Sequence, residues 1–123
     1  MNAFAQARRG YAPTQAPIKT ARSTEYDVIA SISHRMKRAI QQDDFVSLVE
    51  ALHENNRLWV ALGVDAAHPD NLLPDELRAR IVYLADFTRQ HAHKVMQKQE
   101  SAIPLLEINA IILKGLKLEG AKK

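Results

Sequence analysis

The chain contains no cysteine in its 123 residues. Disulfides, thiolate nucleophiles and cysteine-built zinc sites are therefore excluded, and a reducing cytosol is the compartment this usage fits. Glycine is nearly as scarce, with only Gly10, Gly63, Gly115 and Gly120, too dispersed for a phosphate-cradling loop. No apolar run approaches the ~18 residues that a bilayer-spanning helix needs, and no apolar signal core stands near the N-terminus. The expectation is a cytoplasmic protein with no membrane insertion. Sustained alternation of polar and apolar residues is missing as well, and so are two-residue hairpin turns, which leaves little room for strands. No strand–turn–helix nucleophile elbow accompanies the serines.

What is present is ordinary for a folded globular domain. Hydrophobic residues make up 46% and charged residues 25%, which argues against wholesale disorder, and the length suits one core. The net charge is +3, but Arg8, Arg9, Lys19 and Arg22 occupy an arm, residues 1–22, that has no acid. The basic character belongs to this arm and not to the body. Such an arm could attract phosphates or an acidic partner; a merely solvated tail is the favoured account, since no basic and aromatic residues interleave on one surface. Its Arg-rich, acid-poor composition has something of a transit peptide, without the serines. Pro13 and Pro17 break any continuous helix there, so a short helix followed by an extended arm is expected.

Beyond the arm, apolar residues recur at helical spacing. Val28, Ile29, Ile32, Met36, Ala39 and Ile40 predict a helix over about 24–41, with a hydroxyl cap at Ser23 or Thr24. Asp43 and Asp44 can start a second helix whose stripe is Phe45, Leu48, Val49, Leu52, Trp59 and Leu62, with Gly63 as its stop. Pro74, Asp75 and Glu76 suit the first turn of a third, whose stripe is Leu77, Ile81, Leu84, Phe87 and Val95. After a polar break at Gln97–Ser101, Pro104 opens a fourth, carrying Leu105, Ile108, Ile112 and Leu116. The fold expected is all-α, a small bundle of about four amphipathic helices: one domain over 23–120, preceded by the basic arm and followed by a short basic tail, 121–123.

The stretch His53-Glu54-Asn55-Asn56-Arg57-Leu58-Trp59 puts two poor helix formers beside the chain's only tryptophan. At about 100° per residue both asparagines border the apolar stripe, Trp59 lies within it, and Glu54 and Arg57 face outward, spaced to pair. Buried amides must find partners. Asn55 and Asn56 therefore either fix packing register or line a groove that receives a partner. Asn109 flanks the stripe of the fourth helix and can join Asn55 in one polar notch. His91 falls within the third stripe, where a satisfied half-buried histidine is the ordinary role and a base beside Glu107 or Asp86 the catalytic one. The five histidines do not assemble a zinc set: His91 and His93 point about 200° apart on a helix. No metal or cofactor is expected, and no enzyme.

The ordered segments "TEYDVIASI" (24–32), "LVEALHENNRLWVALGVD" (48–65), "LLPDELRARIVYLADFTRQH" (72–91) and "LLEINAIILKGL" (105–116), with "ARRGYA" and "APIKTARSTEYD" before them, resemble the flagellar biosynthesis regulator FlaF family over nearly the whole chain. The resemblance implies a small cytoplasmic helical protein acting on flagellin, as a chaperone or export factor or in coupling to translation, with a functional link to FlbT, a repressor of flagellin translation. RNA is the alternative partner, through the arm. The family-like positions here are Tyr26, Asn55, Leu58, Trp59, Leu73, Pro74, Arg78, Tyr83, Glu107, Asn109, Gly115 and Leu116; Asn56 departs from the pattern, where a basic residue is expected. Tyr26, Asn55, Trp59, Arg78, Tyr83, His91 and Asn109 are accordingly the candidate partner-binding residues. A helical end of flagellin held against a groove containing Trp59, Asn55 and Asn109 is the expected mode, with Arg8, Arg9, Lys19 and Arg22 docking alongside.

Overall fold

A computed structural model describes residues 21–121 of the chain, and side chains over 25–115. It holds four helices: α1 (Ala21–Gln41), α2 (Phe45–Ala67), α3 (Asp75–Met96) and α4 (Ile103–Ala121), with no strand among the described residues. They run up, down, up, down. α2 packs most extensively on α3 and then on α1, α1 carries α4 on its other side, and α3 and α4 touch only slightly. The protein is thus an all-α bundle in which α2 and α4 face each other across the diagonal.

The short connections follow from local chemistry. α1 ends in a reversal at Asp43, whose φ is 52°: the amide of Asp43 donates to the Ile40 carbonyl, and that of Asp44 to the Ala39 carbonyl. This is the Schellman arrangement, made without the usual glycine. Asp44 then caps α2, accepting from the Ser47 amide at 3.1 Å and the Ser47 hydroxyl at 2.7 Å. Those bonds, the hydroxyl's first, hold the Asp44 carboxyl below its ordinary pKa. The same reversal recurs after α3, where Lys98 has φ 61°, with Lys98 N–H on Val95 and Gln99 N–H on Lys94. Its ammonium lies 4.6 Å over the Phe45 ring, tying the two turns at one end of the bundle together.

Three boundaries differ from expectation. α1 is already formed at Ala21, so Ser23 and Thr24 lie within the helix and are not its cap. Gly63 is not a stop: α2 continues to Ala67. A Cβ added at Gly63 would stand 3.0 Å from the Ala85 Cβ, so this glycine sets how closely α2 and α3 approach. α4 begins at Ile103, one residue before Pro104.

The core gathers Ile29, Ile32 and Met36 of α1, Ala51, Leu52, Leu58 and Trp59 of α2, Ala92 and Val95 of α3, and Ala102 and Leu105 at α4. Most of the expected stripes are there. The third helix departs furthest, because its buried line is Thr88, Ala92 and Val95, while Leu77 is exposed and Ile81 and Leu84 are half-buried. Ala85 meets Gly63 of α2, while Ile81 and Leu84 pack against the core from its edge.

Candidate functional site

At the centre of the bundle lies a polar cluster built from three helices. Asn109 of α4 accepts at Oδ1 from Trp59 Nε1–H (2.9 Å), and its Nδ2 donates to Asn55 Oδ1 (2.8 Å) and to Ser33 Oγ (3.0 Å). Asn55 and Asn109 are 0% exposed and Trp59 1%. One amide thus joins α1, α2 and α4 and satisfies the indole N–H across the diagonal. Amides are directional, so a helix shifted by one residue along its axis would leave these groups buried and unpaired, at ~1–3 kcal/mol each. The cluster fixes the register of α4 against α1 and α2. The anticipated notch of Asn55 with Asn109 exists, but it is closed. The expected groove with Trp59, Asn55 and Asn109 on its wall is therefore corrected: in this conformation none of the three has surface to offer a partner. Asn56, half-buried, takes no part.

Two further candidates are also engaged within the chain. Arg78 donates through Nε to the Ala66 carbonyl (2.7 Å) and through Nη2 to that of His68 (2.9 Å), with Asp75 beside it at 3.4 Å. It caps the C-terminal end of α2, where cationic donors meet orphan carbonyls. Asn71 completes this turn, donating to the Asp65 carbonyl and accepting from the Leu73 amide. His91 stacks on Phe87, with centroids 5.3 Å apart, and its Nε2 bonds the Ser101 carbonyl at 2.7 Å. A carbonyl only accepts, so Nε2 carries the proton. Asp86 is bound to Arg89 and Gln90. The structure does not bring His91 into a hydrogen bond with either carboxylate considered for it, and the geometry is that of a strut between α3 and the turn before α4. Glu54 pairs with Arg35 of α1 instead of Arg57.

Tyr26 is half-buried on α1, whereas Tyr83 is 70% exposed on α3. Arg8, Arg9 and Lys19 lie outside the described residues, as does the side chain of Arg22. Among the described residues no three His, Asp or Glu side chains gather as a metal site would require.

Tyr83 belongs to a surface that the stripes did not foretell. Val60 and Val64 of α2 are exposed, as are Val82 beside Tyr83 on α3 and Leu72 in the connection, the last at 99%. Gly63 and Ala85 mark the line where α2 and α3 meet. Val60 and Val64 lie about 60° and 100° round from Gly63, and Val82 about 60° round from Ala85. In an antiparallel pair these rotations lead to the same side. The connected end of the α2–α3 hairpin therefore presents one apolar face, turned away from α1 and α4, with Tyr83 at its edge. A signal for it does stand in the sequence: Leu58–Ala67 is apolar nearly all round, interrupted only by Gly63 and Asp65, and such a turn of helix wants covering on more than one side.

No described helix is long and apolar enough to cross a membrane. A family model described as "Flagellar protein FlaF" matches residues 7–116. No curated protein and no solved structure matches the chain.

Proposed function

The chain belongs to the FlaF family of flagellar proteins, and from that premise we propose that it is a cytoplasmic, non-catalytic binder of flagellin, holding the monomer for export or coupling its supply to translation. The observation that carries this reading is the apolar end of the α2–α3 hairpin. Val60, Val64, Leu72, Val82 and Tyr83 are large side chains left in water on one end of a bundle that buries its own core well. Adjacent exposed apolar groups on a small soluble domain mark an interaction surface, and an aromatic at the edge supplies an anchor. An amphipathic helix lying along such a face would bury its own stripe there. Flagellin's helical ends have this character, and they need shielding before assembly.

The test is calorimetric titration of the full chain with monomeric flagellin from the same organism, at low and high salt. Saturable binding near one to one, with modest salt dependence, is the expected result. Val64→Asp and Tyr83→Asp should each weaken it about tenfold or more, a change of ~1.4 kcal/mol or above, with the melting temperature held. Absence of heat and of a comigrating complex would overturn flagellin binding. Full binding by both variants would overturn this face as its site. Binding of RNA with steep salt dependence, lost when Arg8, Arg9 and Arg22 are neutralised, would favour a translational regulator acting through the arm.

A further inference from the structure

A second face left uncovered among the described residues lies on α4, and it carries an inference independent of flagellin binding. From Ile103 to Gly115 the only charged residues are Glu107 and Lys114, and both are exposed. They stand seven residues apart, so they fall within about 20° of one another on the helix. Ile111, 68% exposed, and Gly115 flank this line on one side, and Ala110 and the exposed Ile103 flank it on the other. A helix of this composition ordinarily has its whole circumference covered. A Cβ placed at Gly115 would meet nothing within 4 Å among the described residues.

We infer that α4 pairs antiparallel with α4 of a second copy of this chain, about a two-fold axis passing between Ala110 and Ile111. That register makes the face complementary to itself. Glu107 comes level with Lys114 of the second copy, and Lys114 with its Glu107, so one pair of residues forms two ion pairs. Ile111 meets Ile111 on one flank of the contact and Ala110 meets Ala110 on the other. The contact is isologous, the commonest way for a small soluble protein to dimerise. A parallel pairing would instead set Glu107 against Glu107 and Lys114 against Lys114. About 18 Å of one helix is a small interface, at or below the ~1,200 Å² where specific complexes begin, so the dimer is weak and dissociates on dilution.

Charge reversal tests both the pairing and its register, using the full chain in sedimentation equilibrium from ~5 μM to ~1 mM, the range where a small interface dissociates. Glu107→Lys alone and Lys114→Glu alone each place like charges at both contacts and should weaken dimerisation about tenfold or more. The double reversal restores the pairs and should return the constant to within about threefold of wild type. Circular dichroism at low concentration should give all three variants the helix content of the wild type, since both positions are exposed. A chain that stays monomeric throughout overturns the inference, and so does a dimer indifferent to the single reversals.

Discussion

Replacing Asn109 with leucine removes the hub of the polar cluster at nearly constant volume, which keeps any cavity contribution small. Trp59 Nε1–H loses its only acceptor and Asn55 Oδ1 its donor, while the half-buried Ser33 can turn its hydroxyl toward solvent. Two buried polar groups are newly orphaned, each at about 1–3 kcal/mol, so a loss of about 3–5 kcal/mol is expected. That is a large share of the ~5–15 kcal/mol available to a domain of this size and lowers Tm by some 12–30 °C. Urea unfolding followed by Trp59 fluorescence reads it directly: the midpoint falls and the slope is unchanged. Adding Asn55→Leu removes one of the two orphans, so the double variant should be more stable than the two single losses summed, by about 1–3 kcal/mol of coupling. An Asn109→Leu protein within about 0.5 kcal/mol of wild type, or a double variant that is simply additive, would refute the register argument.

Two further outcomes follow from the first turn of the bundle. Asp43→Gly relieves a left-handed conformation costing about 1–2 kcal/mol in an L residue, against roughly 0.4–1 kcal/mol of added unfolded-state entropy; a net gain near 0.5–1 kcal/mol should appear in the urea midpoint, and a loss would contradict the Schellman assignment. Because the Asp44 carboxyl is held below its ordinary pKa by Ser47, the stabilisation it gives α2 is fully present above the unfolded value of about 3.9 and is lost as pH falls through the lowered folded value. Stability measured from pH 5 down to 2 should fall less steeply in Asp44→Asn, which keeps a capping oxygen without the titration, and an unaltered slope would show that this carboxylate is not responsible.

Local chemistry made the helices legible. Periodicity over α1 and α2, acids capping α2 and opening α3, and the polar break before α4 each act within a turn or two, so they can be read one segment at a time. Asn55 and Asn109 were also recognisable as amides beside apolar stripes, because a polar residue at such a position must be satisfied somewhere. Gly63 misled for the same reason that makes glycine informative elsewhere: it marks either a chain reversal or a close approach, and only the 3.0 Å to Ala85 distinguishes them. The true reversals use Asp43 and Lys98, whose side chains give little notice of a positive φ.

The sequence by itself therefore determined an all-α chain, four helices in nearly their observed places, the polar residues needing partners, and the resemblance to the family whose model matches residues 7–116. Tertiary structure alone decided where each helix face points. It closed Asn55, Trp59 and Asn109 into the interior, turned Arg78 and His91 to capping and bracing, and left Val60, Val64, Val82 and Tyr83 outside. The physical reason is that spacing along a helix tells which residues share a side, whereas burial depends on which neighbour covers that side and how near it comes. That distance is set by residues far apart in the chain, Gly63 on Ala85 and Asn109 on Trp59, which no single segment contains.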